Sequence, residues 1–333
     1  MPAPQPALRR PGIDRAIIWL SLFGLLVILV LMALLIVRDR EEAEQQAADR
    51  AQMQALLLAE HAARLFDSAE LALSTVIDET RGADLRSLPD AGRMHRRLAW
   101  LARRLPYVEA FWLHGPTGAL RVSSLAHPPP RLDASGQDFF IIHSRDPDAG
   151  VHVGGLTGSG DGRSTFRLSR RLEHHRGGFR GVVSLTVEVP FFRNFYGRLP
   201  LPANSCVSLL RAPDMSVLVA QPPSEEDDRR SLADRLRDRM AENPDWGLFQ
   251  QASTADGLRR VVAYRKVSGF PLYVTVAIPL ATMDAEWRQR VVLRLAEAGG
   301  AILILGLLTT LALREAGRQR LFQQTLEQRV AIR

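Results

Sequence analysis

The sequence predicts an α+β protein, in which two small α+β units follow one long helix and a membrane-spanning helix flanks them on each side. Three observations predict this arrangement. The run from Ala16 to Val37 contains 22 residues without a charge, and the stretch from Arg40 to about Thr80 contains neither Gly nor Pro. Between Val108 and Pro279, short apolar runs alternate with turn residues in two successive sets, which is typical of antiparallel strands.

Composition limits the classes of protein to which the chain can belong. Of its 333 residues, 46% are apolar and 24% are charged, which is typical of a globular protein and excludes a disordered chain. Most of the net charge of +7 comes from arginines before Arg38 and after Leu313. The positive and negative charges in the middle of the chain therefore nearly cancel, and we predict no nucleic-acid partner. The single cysteine, Cys206, excludes an internal disulfide and a cysteine-based zinc cluster.

The first apolar run is long enough to cross a bilayer. As a helix it would span about 33 Å, against a hydrocarbon core of about 30 Å. A cleaved signal peptide is the alternative, but the run is longer than a usual signal-peptide core and leads into charged residues rather than a small-residue cleavage site. We therefore predict a cytoplasmic tail over residues 1–15 and a transmembrane helix over residues 16–37.

A second transmembrane helix is predicted over residues 294–313, between Arg294 and Arg314. Glu297 lies near its end, where the carboxylate can reach the membrane interface. A buried core helix is the alternative, and the shortness of the uncharged segment favours it. The arginines beside the two segments mildly favour cytoplasmic termini with the domain between them on the outer side, which in a bacterium is the periplasm.

The first α+β unit is expected within residues 38–199. The stretch over residues 40–80 carries apolar side chains at three- and four-residue steps, and a second helix is expected over Ala91 to Arg104, because Pro106 disfavours its continuation. The strands expected next are Val108–His114, Ala119–Ser124, Ser164–Leu172 and Phe179–Val189, followed by a short helix over Pro190–Leu199.

The second unit is expected within residues 200–290, after the turn that Pro200 and Pro202 indicate. Its expected elements are a strand pair, a charged helix with Ser224 as N-cap, and a hairpin that leads into a further helix. They cover Cys206–Arg211, Ser216–Gln221, Ser224–Glu242, Gly257–Val267, Leu272–Pro279 and Leu280–Arg294.

Four segments carry a resemblance to a known family: SGQDFF, STFRLSRRL, GGFRGVVSLTVEVPFF and DGLRRVVAYRKVSGFPLYVTVAIP. With the order span, long helix, two α+β units and span, the chain resembles the double Cache (PAS-like) extracytoplasmic sensor domains of bacterial membrane histidine kinases and diguanylate cyclases. The resemblance implies two tandem PAS-like units in a receptor of the bacterial inner membrane, a role in two-component signal transduction, a homodimer in contact with membrane lipid, and a small-molecule ligand. It also implies that the membrane-distal first unit holds the ligand and that the second unit relays the signal.

The sequence differs from the family at one point that bears on the ligand. Related domains often carry Asp-Arg-x-Tyr-Phe where this chain has Gly-Gln-Asp-Phe-Phe over residues 136–140. Gln137 cannot bind a carboxylate bidentately as an arginine does. Arg121, Arg145 or Arg167 would have to supply the guanidinium instead.

Strand alternation selects the candidate ligand site in the first unit. It places Arg167 and Ser169 on one face of their strand, and Trp112 and His114 together on another strand. A set of aromatic and arginine side chains with polar neighbours suits a small anionic or polar organic molecule. The candidate ligand-binding residues are Trp112, His114, Gln137, Phe139, Arg167 and Ser169. The alternative is that the aromatic residues are core and Arg167 is a surface residue.

No catalytic, metal or cofactor motif is found in the sequence. The Gly-rich segment over residues 154–165 lacks the Gly-Lys-Ser/Thr ending of a phosphate loop, and the histidines do not form a zinc motif. Residues 314–333 contain no histidine, and Phe322, Leu326 and Val330 recur every four residues, which favours a cytoplasmic signalling helix over a plain juxtamembrane helix.

Two further interpretations stay open from the sequence alone. The chain could be the front part of a longer enzyme, with a sensor histidine kinase favoured over a diguanylate cyclase. It could also be a non-sensory membrane assembly module. In each case we expect no catalytic residue between residues 1 and 333.

Overall fold

The computed structural model divides the chain into two compact units. One, the central domain, covers Ala47–Thr282, and the other, the terminal pair, contains the segments up to Gln46 and from Met283 onward. The structure describes residues 12–82, 85, 90–158, 164–174, 177–223, 225–253 and 256–331. Ser224, the expected N-cap, lies outside the described residues, as do the side chains of Phe322, Leu326 and Val330.

Helix α1 runs without interruption over Gly12–Glu79 and so joins the first apolar segment to the long helix expected from the sequence. Within the central domain its buried stripe is made of small and apolar side chains at helical spacing: Ala47, Ala51, Ala55, Leu58, Ala62, Phe66, Leu73 and Val76. The helix ends where Thr80 turns its hydroxyl onto the Val76 carbonyl, 2.8 Å away. Helix α2, Ala91–Arg104, then ends before Pro106 as predicted.

The first PAS-like unit is built on one antiparallel sheet. Its elements in chain order are β1 Val108–His114, β2 Leu120–Ser123, α3 Asp138–Arg145, β3 His152–Val153, β4 Thr157–Gly158, β5 Ser164–Glu173, β6 Phe179–Glu188 and α4 Val189–Tyr196. The strand order is β2-β1-β6-β5-β3, with β4 also paired to β5. The sequence did not indicate α3, β3 or β4, because each is short and its position depends on the strands beside it.

The second PAS-like unit repeats this strand order with five strands. Its elements are β7 Cys206–Arg211, β8 Val217–Gln221, α5 Glu226–Glu242, β9 Trp246–Ala252, β10 Arg259–Lys266 and β11 Leu272–Pro279, and α6, Leu280–Ala331, follows. The order β8-β7-β11-β10-β9 matches that of the first sheet. The predicted α+β class with a long N-terminal helix is confirmed, and β9 is the one strand of this sheet that the sequence did not indicate.

An aromatic cluster joins α1 to both PAS-like units. The Phe66 ring is fully buried, and its centroid lies 5.9 Å from that of Phe192 and 6.2 Å from that of Phe166. On the side of the second unit, the Phe270 ring lies 5.5 Å from Phe66. The packing of the long helix is therefore shared between the two sheets.

The terminal pair contains two apolar helical segments that are long and apolar enough to cross a membrane, with mean hydropathy of 3.2 in α1 and 2.0 in α6. They pack against each other through small and polar residues. The hydroxyls of Ser21 and Thr309 lie 2.7 Å apart, and a Cβ at Gly24 would be 3.4 Å from the Leu305 side chain. Small residues and hydroxyl pairs of this kind are typical contacts between membrane helices.

Candidate functional site

One face of the first sheet carries polar side chains on three adjacent strands. Trp112 of β1 pairs with Ser184 of β6, which pairs in turn with Ser169 of β5. Two residues farther along the same two strands, Arg167 of β5 pairs with Thr186 of β6. Because alternate residues of a strand share a face, these five side chains lie on the same face of the sheet.

Helix α3 covers this face, and its start is set by a tight turn. Gly118 has φ +89°, and a Cβ there would lie 2.6 Å from the Ser135 backbone nitrogen. The Asp133 carboxylate accepts hydrogen bonds from the Ser135 backbone N–H at 2.9 Å and from its hydroxyl at 2.8 Å. Only glycine allows this close approach, and the turn directs Phe139 of α3 toward the sheet, where it is 2% exposed.

Arg167 has aromatic neighbours but no ionic partner. Its guanidinium carbon lies 4.5 Å from the centroid of the Phe139 ring and 6.0 Å from that of Trp112. Burial lowers the pKa of Arg167, and the nearby Asp138 carboxylate partly opposes this effect. In the described part of the chain, no carboxylate lies within 4.0 Å of its guanidinium and no side-chain hydrogen bond satisfies it.

Two further polar groups on this face have no partner among the described residues. They are the hydroxyl of Ser184, which is fully buried, and Nδ1 of His114, whose side chain is only 3% exposed. Burial lowers the pKa of His114 to about 4, and the Arg167 charge adds to this effect. The imidazole is therefore neutral at neutral pH and offers one donor and one acceptor.

Four other side chains at this site are hydrogen-bonded in pairs, although Nδ1 of His143 has no partner among the described residues. The Trp112 indole N–H donates to the Thr186 hydroxyl at 2.9 Å, and His143 Nε2 lies 3.0 Å from the Ser169 hydroxyl. These bonds hold the side chains that surround Arg167 in fixed orientations.

Five of the six predicted site residues come together at this face: Trp112, His114, Phe139, Arg167 and Ser169. Gln137 does not join them, because it is exposed at the N-cap of α3 and uses its backbone carbonyl to accept from Phe140 and Ile141. Sequence reasoning missed Ser184 and Thr186. Their alternation within an otherwise apolar strand was the signal that could have revealed them.

The buried histidines predict a pH dependence of stability. Burial lowers the pKa of His114 and of His143 to about 4, so between about pH 6.5 and 4 the unfolded chain binds protons that the folded chain does not. The free energy of unfolding is therefore at its full value above about pH 6.5. Below that pH it falls by up to about 1.4 kcal/mol per pH unit for each histidine. Melting temperatures of the whole chain in detergent between these pH values measure the slope.

The control for this prediction is His174→Gln, because His174 is exposed. We expect His114→Gln and His143→Gln each to reduce the slope and His174→Gln to leave it unchanged. A slope that is equal in all three variants would contradict the prediction.

The comparisons with known proteins agree with the fold. A family model described as a histidine kinase sensor domain, of the dCache_1-like type, matches residues 189–277. The extracellular domain of rpHK1S-Z16, described as a histidine kinase, is 30% identical and has a TM-score of 0.61, over 71% of this chain and 95% of that domain. No curated protein matches the chain significantly.

More distant structures share the fold. The ligand-binding domain of the Pseudomonas aeruginosa PAO1 amino acid chemoreceptor PctC, solved with GABA, is 15% identical with a TM-score of 0.51, over 69% of this chain and 99% of that domain. The ligand-binding domain of the Campylobacter jejuni chemoreceptor Tlp3, solved with L-valine, is 12% identical with a TM-score of 0.50, over 74% of this chain and 97% of that domain.

Proposed function

Because the chain belongs to the double Cache family of histidine kinase sensor domains, we propose that it is the input part of a receptor in the bacterial inner membrane. In this proposal the first PAS-like unit lies in the periplasm, away from the membrane, and binds a small organic carboxylate. The second PAS-like unit and α6 relay the binding event to the cytoplasmic side. The receptor acts as a homodimer in a two-component system.

The observation that carries the proposal is the unpaired guanidinium of Arg167. A charged group that is half-buried without an ionic partner is unfavourable unless a ligand supplies the opposite charge. A carboxylate can accept two hydrogen bonds from an arginine side by side, which adds direction to the attraction. Phe139 and Trp112 would hold the guanidinium flat on one side, and the unpaired Ser184 hydroxyl would meet a second polar group of the ligand.

The similar receptors support a small-molecule ligand. PctC and Tlp3 were solved with GABA and L-valine respectively. In this chain the guanidinium on the sheet is that of Arg167, whereas the family that the sequence resembles often has an arginine at the position of Gln137. The ligand would therefore be held in a different orientation, which allows a different choice of carboxylate.

A thermal-shift screen of the whole chain in detergent tests the proposal. A ligand that binds only the folded state raises stability by about 2.7 kcal/mol when present at about 100 times its Kd. We expect small carboxylates to raise the melting temperature and their carboxamide counterparts to have no effect. If no carboxylate in a broad metabolite panel shifts the melting temperature, carboxylate binding is excluded and the non-sensory interpretation is favoured.

Cysteine cross-linking tests the relay through α6. In a Cys206→Ser background, the pair Ser21→Cys and Thr309→Cys replaces two hydroxyls that lie 2.7 Å apart. We expect rapid disulfide formation on oxidation, and a change of several-fold in its rate when the carboxylate from the screen is bound, because the ligand must favour one helix arrangement over another.

The matched control pair is Leu20→Cys with Leu308→Cys, whose native side chains are exposed in the terminal pair. This pair should cross-link slowly with or without ligand. Identical rates with and without ligand for the Ser21 and Thr309 pair would count against a relay by relative movement of these helices.

A further inference from the structure

A cavity lies in the second PAS-like unit, beside the first turns of α5. Its volume is about 270 Å³, just below the usual range of about 300–1,000 Å³ for small-molecule sites, so it suits a small ligand. Three of its lining residues form one row across the sheet, because Ala277 of β11 pairs with Cys206 of β7 on one side and with Val262 of β10 on the other. The opposite wall includes Asp228 and Leu232 of α5.

The place of this cavity in its sheet corresponds to that of the Arg167 site in the first sheet. Both sheets have the same strand order, and Arg260 stands six residues before the end of β10, as Arg167 stands six residues before the end of β5. The chemistry differs, however. The Arg260 guanidinium donates to both carboxylate oxygens of Asp256, at 2.9 and 2.5 Å, and to the Asn204 carbonyl at 3.3 Å.

Charge and hydrogen bonding at this cavity favour a cationic ligand. Its lining carries the carboxylates of Glu225, Asp228 and Asp256 against the guanidiniums of Arg229 and Arg260. Arg260 and Asp256 largely neutralise each other, which leaves the carboxylates of Glu225 and Asp228 against Arg229. Arg229 is itself paired with Glu226 at 3.6 Å, so the remaining charge at the cavity is negative. The arginine beside Asp256 also keeps the pKa of that carboxyl well below its usual range, so it stays ionised.

Gln251 supplies an acceptor that the protein leaves unused. Its amide nitrogen donates to the Ser231 hydroxyl at 2.9 Å, which directs the amide oxygen away from that partner. Oε1 is buried, and no donor reaches it among the described residues. A ligand with an N–H group would satisfy this oxygen, and the side chains of Leu232, Val262 and Ala277 would contact an apolar body.

We propose that this cavity is a second ligand site, and that it binds a small protonated organic amine with an apolar body. The ammonium group would donate to Gln251 Oε1 and lie near the Asp228 carboxylate. The site is separate from the carboxylate site of the first PAS-like unit, so the receptor could respond to two chemically opposite compounds.

Protection of Cys206 from modification provides a direct test. It is the only cysteine of the chain and it lines the cavity, so a small thiol reagent such as methyl methanethiosulfonate reports on this cavity alone. In the whole chain in detergent, we expect butylamine or benzylamine to slow the modification about tenfold at about ten times its Kd. The matched alcohols, 1-butanol and benzyl alcohol, and the anions pentanoate and phenylacetate should not protect.

Variants separate this site from the first one. Asp228→Asn removes the charge and Gln251→Leu removes the acceptor, and each should abolish protection by the amine in a chain that still melts cooperatively. Arg167→Gln should leave the protection unchanged, even if it abolishes carboxylate binding. The proposal is overturned if neither amine protects Cys206, if the alcohols or anions protect equally, or if protection persists in both cavity variants.

Discussion

Arg167→Gln is expected to lower the affinity for the carboxylate identified by thermal shift by about 30-fold or more, while the folded chain remains stable. Removing one partner of a buried, hydrogen-bonded charge pair costs about 2–5 kcal/mol, because the remaining charge is left without its counterpart. Glutamine keeps much of the side-chain length but carries no charge. Titration calorimetry of the variant and the native chain measures the difference.

The stability of the variant distinguishes loss of binding from loss of folding. Arg167 makes no ion pair in the described part of the chain, so replacing it should leave the melting temperature without ligand unchanged or slightly raised. Arg145→Gln is the matched control, because Arg145 is exposed at the end of α3. If both variants bind the carboxylate as the native chain does, Arg167 is not its binding residue.

Phe66→Ala is expected to destabilise the central domain by about 3–5 kcal/mol, which is the usual cost of removing a buried phenylalanine ring. Phe66 is fully buried and contacts rings of both PAS-like units, so the cavity left behind cannot be closed by the movement of one neighbour. For a domain of this size we expect the melting temperature to fall by about 6–20 °C.

Leu71→Ala is the matched control for this substitution, since Leu71 lies on the same helix with its side chain 70% exposed. Phe66→Leu should fall between the two, because it retains part of the apolar volume. A Phe66→Ala variant that melts close to the Leu71→Ala variant would show that the aromatic cluster does not couple the helix to the two sheets. Calorimetry would also show whether the units then unfold in separate transitions.

Much of the fold could be predicted from local signals. The absence of Gly and Pro over residues 40–80 and the uncharged run before it are sufficient for α1, and the hairpin residues placed most strands within a residue or two. Strand β9 was missed because its alternation is weak, with Trp246 exposed and Phe249 buried. Helix α3 was missed because it is only 8 residues long and is positioned by the turn at Gly118.

Part of the candidate site was also predictable from local signals. Alternation correctly grouped Arg167 with Ser169 and Trp112 with His114, but it could not show which strands are neighbours. The expectation for Gln137 came from its position in the sequence, whereas the structure has it exposed at the N-cap of α3. Gln251, on the strand that was missed, was invisible to this reasoning.

By itself, the sequence determined the properties that depend on residues close together in the chain: the two apolar segments, the long helix, and the alternation of each strand. Only the tertiary structure decided which polar groups are left without a partner inside the protein. Strand β1 meets β5 through β6, and α3 covers them, so the surroundings of Arg167 come from residues distant in sequence. Burial and pairing depend on those distant neighbours, and no local pattern records them.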